Sequence, residues 1–199
     1  MKGRTVTTTA ALPAPADVAE RARAIHADWQ ADAEMTVVLD GCARYNAEWD
    51  DFYGGPLIST YSVEQDSAHM LVDALRVMAL KAAVFELTGD ELLAELPVPV
   101  PIDVTCHALC AQFTALSRIQ QRTGHLFVHS TVNEQVNATP WDTGDFTHQA
   151  YEMAFGPVND RYWIPAEEAE RRRQVLDGKY ASIGITSRGM SSAIGFAAA

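Results

Sequence analysis

The stretch SVEQDSAHMLVDALRVMALKAAVFELTG, residues 62–89, constrains the fold more than any other part of the chain. Leu71, Leu75, Met78, Ala82 and Phe85 recur at spacings of three and four, which on a helix makes one continuous apolar stripe. Ser62 followed by Gln65 has the spacing of a capping box, and Gly89 supplies a stop. The pattern predicts a long helix, and other periodic segments supply elements of the same kind to pack on it.

ADVAERARAIHADWQADA places Val18, Ala22, Ile25 and Trp29 on one helical face. Asp103 is read as the cap of another helix running through CHALCAQFTALSRIQQRTG to Gly124. A short helix is expected from Asp145 to Phe155. A further one opens at Pro165, with Glu167 and Glu168 in front, three arginines behind and Gly178 as its end. The PVPVP run at 97–101 reads as an extended connector. Met35 to Leu39 is compatible with a short strand before Cys42, Tyr45 and Trp49 take up helical spacing. HLFVHSTVNEQV permits a strand pair or an irregular turn. The fold class expected is mainly α: a compact helical domain with three long helices, two or three shorter ones and minor strand content. Residues 1–15 read as an extended or flexible tail, 16–190 as a single globular domain, and 191–199 as a small-residue tail packed on the body or a partner.

Composition narrows the function classes. With 48% hydrophobic and 21% charged residues over 199 positions, the chain is too apolar for disorder. A formal net charge of −11 repels phosphate backbones, and the one basic run, Arg171 to Arg173, is offset by Glu167, Glu168 and Glu170, so no nucleic-acid partner is expected. The threonine- and proline-interrupted amino terminus lacks a signal-peptide core. No apolar run reaches membrane-helix length, so a soluble, cytoplasmic protein with no membrane partner is expected. Three cysteines, Cys42, Cys106 and Cys110, suit a reducing compartment better than a disulfide framework.

DVTCHALCAQ, residues 103–112, gathers a carboxylate, a histidine and two thiols. On a helix, Cys106 and Cys110 fall on the side of Leu109, Phe113 and Leu116, while His107 lies beside Asp103 on the polar side. The segment therefore reads as buried thiols with an outward histidine, and it cannot surround a metal without help from distant residues. CxxxC also lacks the spacing of a thioredoxin-like pair or zinc knuckle. Adjacent residues specify no cofactor and no metal. A metal-dependent variant would draw on His69, His125, His129 and His148. His69, with Asp66 and Asp73, reads as a solvated helix face.

WDTGDFTHQAYEMAF offers the fullest catalytic constellation. If Asp145 starts a helix, His148 and Glu152 lie on adjoining turns, Tyr151 presents a polar tip, and Trp141 and Phe155 wall a ligand. His148 is the expected proton carrier, Asp145 or Glu152 its orienting partner, Tyr151 a donor to developing oxygen charge, and His129 a group completing the site across the fold. Glu48, Trp49 and Tyr53 in NAEWDDFYGG, and Asn133 in HSTVNEQ, are the other substrate-binding candidates. No GxGxxG after a strand, GxxxxGK[ST], HExxH or GxSxG occurs. The sequence thus points to a small-molecule enzyme, an isomerase, cyclase or lyase working by general acid–base chemistry on an aromatic or amine-bearing compound. Its rivals are a non-catalytic ligand-binding or homo-oligomeric accessory protein and a metal-dependent enzyme with a histidine-rich pocket.

Overall fold

The computed structural model describes residues 11–45, 63–130, 139–182 and 184. These residues form eight α-helices and no strand: α1 (Pro15–Ala31), α2 (Met35–Tyr45), α3 (Val63–Thr88), α4 (Glu91–Ala94), α5 (Val100–Cys110), α6 (Phe113–Thr123), α7 (Phe146–Phe155) and α8 (Ala166–Ser182). α3 is the axle of the fold. From Met70 to Val84 nearly every side chain is buried, because α1, α2, α4, α5 and α7 all pack around it. A helix with only one apolar stripe would be covered on one side; this one is alanine-rich between its large residues, so neighbours approach from several directions. α1 lays Val18, Ala22, Ile25 and Trp29 into the same core and packs also on α7.

The structure corrects several local expectations. Minor strand content is absent among the described residues, and Met35 to Leu39 belongs to α2. There Met35, Val38 and Cys42 form a buried face at spacings of three and four, and the Asp32 side chain accepts the Glu34 N–H at the turn that starts the helix. Residues 125–130 run without regular structure. The helix expected over 103–124 is two helices, and it starts three residues early. Pro101 fits the first turn of α5, where no N–H is required, so the helix begins inside PVPVP with Pro99 before it and Asp103 is released from capping. Gln112 leaves helical backbone (ψ 33°) and separates α5 from α6. The phase shift turns Phe113 outward, 73% exposed, while Leu116 and Ile119 stay in the core. α8 continues through Gly178 to Ser182.

Asp66 and Asp73 are not on a solvated face. Asp66 is buried and accepts two hydrogen bonds from the Arg161 guanidinium, at 2.8 and 2.9 Å, and one from the Tyr162 hydroxyl at 2.8 Å. Asp73 accepts from the Tyr151 hydroxyl at 2.5 Å and the Trp163 indole at 3.0 Å. His69 remains exposed, its ring 6.4 Å from that of Tyr162. No helix among the described residues is long and apolar enough to cross a membrane. Residues 1–10, the Ser62 cap, Trp49 and the 191–199 tail lie outside the described residues.

Candidate functional site

The most concentrated polar chemistry lies where α3, the end of α4, α5 and the segment after α6 converge. Lys81 occupies a core position of α3 and is 0% exposed. An isolated ammonium there would cost several kcal/mol, so a partner is obligatory. Glu95 supplies it. Asp90 caps α4 by accepting the Leu92 and Leu93 N–H groups at 2.9 and 3.2 Å, and the single turn that follows delivers buried Glu95 into an ion pair with Lys81.

The third arm is built by a reversal at Gly124, whose φ of 79° ends α6 in the left-handed region. Three residues fix the returning chain. His125 lies between Asp28 of α1, at 3.0 Å, and Glu86 of α3, at 2.7 Å. The Phe127 N–H donates to Gln120 Oε1 at 2.7 Å, and its ring stacks on Trp29 with centroids 3.9 Å apart. The Ser130 N–H donates to Glu95 Oε2 at 2.8 Å. His129, held between these anchors, sets its Nδ1 at 3.1 Å from Lys81 Nζ and 3.4 Å from Glu95 Oε1.

α5 closes the group from the other side. Asp103 and His107 are four residues apart on one face, with His107 Nε2 3.9 Å from Asp103 Oδ2. The His107 and His129 rings lie 4.8 Å apart between centroids. One ligand atom from each of Asp103, His107 and His129 falls within 4.8 Å of the other two. All three residues are half-buried, so the cluster sits at the edge of the core.

Burial opposes the Lys81 ammonium, but Cys106 and Glu95 outweigh it and the net direction is upward. Because burial holds the Cys106 thiol far above its ordinary range, the anions acting at neutral pH are Glu95 and, behind it, Asp103. Burial likewise opposes the Glu95 carboxylate, and the hydrogen bond with His129 followed by the Lys81 charge brings it below the usual range. The pair is therefore ionised beneath a cluster of oxygen and imidazole donors.

The sequence-predicted site residues divide between two places. Asp145 caps α7 as expected, accepting the His148 N–H at 2.9 Å, and burial raises its pKa. His148 accepts the Gly144 N–H on Nδ1 at 3.2 Å and presents Nε2 to Glu152 at 3.7 Å. Trp141 is buried, with its ring 6.0 Å from His148 and 5.5 Å from Trp163. The Tyr151 hydroxyl donates its proton to Asp73, accepts from Arg76 at 3.1 Å, and is held well above the ordinary phenol range by burial and then by Asp73. Phe155 packs edge-on to Tyr151 at 5.4 Å. His129 belongs to the other place, with Lys81, Glu95 and His107. Glu48, Trp49, Tyr53 and Asn133 lie outside the described residues.

Lys81 and Glu95 are missing from the sequence reading. Lys81 had a visible signal, three residues after Met78 and four before Phe85 on the apolar stripe; Glu95 had none. Comparison with protein-family models, curated proteins and solved structures finds no match.

Proposed function

We propose that this protein is a metal-dependent enzyme acting on a small molecule, with one divalent transition-metal ion held by Asp103, His107 and His129. The observation that carries the reading is the convergence of two imidazoles and a carboxylate from two separate segments, their ligand atoms within 4.8 Å of one another. Tetrahedral ligands about 2.1 Å from an ion stand roughly 3.4 Å apart. Asp103 and His107 are already 3.9 Å apart, so small rotations at these half-buried side chains complete the set. Two imidazoles with one carboxylate suit zinc or iron(II), and three protein ligands leave coordination positions for substrate. An ion there would supply Lewis-acid chemistry. The chain's own contribution is a dry floor formed by Lys81 and Glu95, with an approach along the half-buried face of α5.

The test is a thermal melt of the full chain, freed of metal and titrated with Zn²⁺, Co²⁺ or Fe²⁺ under anaerobic conditions. Binding at one hundred times the dissociation constant adds about 2.7 kcal/mol, or about 5–10 °C. Asp103→Ala, His107→Ala and His129→Ala should each abolish the shift. A shift that survives all three, or no shift with any ion, rejects the site.

The acid–base reading centred on His148 is retained as a second proposal, supported by the pairing of His148 Nε2 with Glu152 at 3.7 Å. It separates cleanly from the first. With an active substrate in hand, His148→Ala should cost about 10²–10⁴-fold in rate if His148 carries the proton, whereas the metal reading places that loss at His107→Ala.

A further inference from the structure

Beneath the three ligands, His129 Nδ1 is approached by two groups of opposite character. Lys81 Nζ stands 3.1 Å from it and Glu95 Oε1 3.4 Å. A lysine ammonium has donors only and an ionised carboxylate acceptors only. Lysine can therefore engage Nδ1 only where that atom carries a lone pair, which puts the ring proton of neutral imidazole on Nε2. Glutamate can engage it only where Nδ1 carries the proton, which leaves the lone pair on Nε2. With Nδ1 turned to the ion pair, an ion beside His107 would be met by Nε2, and a metal needs the lone pair there.

We infer that the buried Lys81–Glu95 pair is the outer shell of the Asp103–His107–His129 site and acts on it in opposite senses: Glu95 selects the metal-ready tautomer of His129, and Lys81 selects the other. The inference rests on the metal reading above. Its content is a direction that a merely structural ion pair would not produce. Loss of either member of a structural pair loosens the segment carrying His129, and both losses weaken binding. Here the two losses diverge. Without Glu95 the carboxylate that counters Lys81 at Nδ1 is gone, and affinity falls. Without Lys81, a competing donor and a buried positive charge near the ion disappear together, and affinity rises. Other features restrict Glu95 to this use: Oε2 is occupied by the Ser130 N–H at 2.8 Å, so Oε1 is the oxygen shared between Lys81 and His129.

The experiment is Co²⁺ titration of the full chain, followed by the visible d–d absorption of the bound ion, for wild type, Glu95→Gln and Lys81→Met, with zinc competition giving relative affinities. Circular dichroism confirms the fold, and ¹⁵N shifts of the His129 ring in the metal-free proteins report the tautomer. Glu95→Gln should bind about 10- to 100-fold more weakly and move the ring toward Nε2–H. Lys81→Met should bind about tenfold more tightly and move it toward Nδ1–H. If Lys81→Met does not fold, Lys81→Met/Glu95→Gln is compared with Glu95→Gln alone, and tighter binding by the double variant is the equivalent result. Weakening by both single variants, or a double variant no tighter than Glu95→Gln, overturns the inference while leaving the metal site intact. Wild type that develops no d–d band overturns the inference together with the metal site it rests on.

Discussion

Replacing Tyr151 by Phe removes one oxygen atom from the core and tests whether that hydroxyl holds the fold or serves chemistry. The ring packs between Trp163 and Phe155, with centroids at 4.5 and 5.4 Å, and phenylalanine keeps those contacts. What is lost is the 2.5 Å hydrogen bond to buried Asp73, which then depends on the Trp163 N–H at 3.0 Å and on Arg76 at 3.6 Å. A hydrogen bond to a charged group contributes about 1.5–3 kcal/mol net, and the carboxylate left under-satisfied sets the upper part of that range. Arg76 also loses an acceptor, but its guanidinium is 31% exposed and water replaces the phenol. The expected cost is about 2 kcal/mol, which lowers the urea midpoint by about 1 M at an unchanged slope and the melting temperature by about 4–8 °C. A cycle with Asp73→Asn should return a coupling energy of at least about 1 kcal/mol, because the two groups share one bond. A Tyr151→Phe protein with wild-type stability, or strict additivity in the cycle, would refute the anchoring role. Wild-type stability with lost turnover would return Tyr151 to the catalytic set.

Further outcomes follow from other parts of the core. Burial, and then Arg76, lowers the His26 pKa to about 4, so the folded state keeps this ring neutral while the unfolded chain takes up a proton below about 6.5; stability should fall as pH drops from 6.5 toward 4. Solvent screening at a half-buried ring reduces the full linkage to about 1–2 kcal/mol, and His26→Leu should remove that much of the slope in urea midpoints between pH 7 and 4.5. Burial pushes the Cys42 thiol up to about 12 and Cys106 well above the ordinary range, so native-state thiol titration should label half-buried Cys110 first. Cys106→Ala/Cys110→Ala should lower the melting temperature while keeping metal binding within about tenfold. Phe127→Ala, which removes the stack on Trp29, should cost about 2–4 kcal/mol and weaken cobalt binding as well, since the same segment delivers His129; unchanged affinity would uncouple the two.

Much of the helical framework was legible because apolar spacing is a local property. Val18, Ala22, Ile25 and Trp29 are buried as their periodicity predicts, Asp145 caps its helix, and Gly89 and Gly124 end theirs in positive φ. The failures at Met35 to Leu39, at Gln112 and at His129 have one cause: each required knowing what lay across the core. Met35 to Leu39 is too short for periodicity to separate strand from helix, and its neighbours in α5 and α6 decide the matter. A break at Gln112 leaves no mark in a pattern that stays apolar on either side, yet it rotates everything beyond it. Asp103 and His107 were visible as an i,i+4 pair. Their third member arrives only because the chain reverses at Gly124 and is tied down at Phe127 and Ser130.

Charged residues in core phase carry the most information that periodicity discards. Asp66, Asp73 and Lys81 are spaced by seven and eight residues, about two helical turns each, so they stay on one side of α3. Counted as polar, they read as interruptions of a stripe. Each is buried, and each is met by residues from later in the chain: Asp66 by Arg161 and Tyr162, Asp73 by Tyr151 and the adjacent Trp163, Lys81 by Glu95 and His129. An apolar face accepts neighbours in many registers, because dispersion and water exclusion are non-directional. A buried carboxylate or ammonium accepts only the register that satisfies it, since a slip of one turn strands a charge at a cost of several kcal/mol. The three positions therefore act as addresses along α3. The third differs from the others in one respect: its partner His129 faces Asp103 and His107 as well, so the contact that fixes the register of residues 125–130 also brings a ligand to the site.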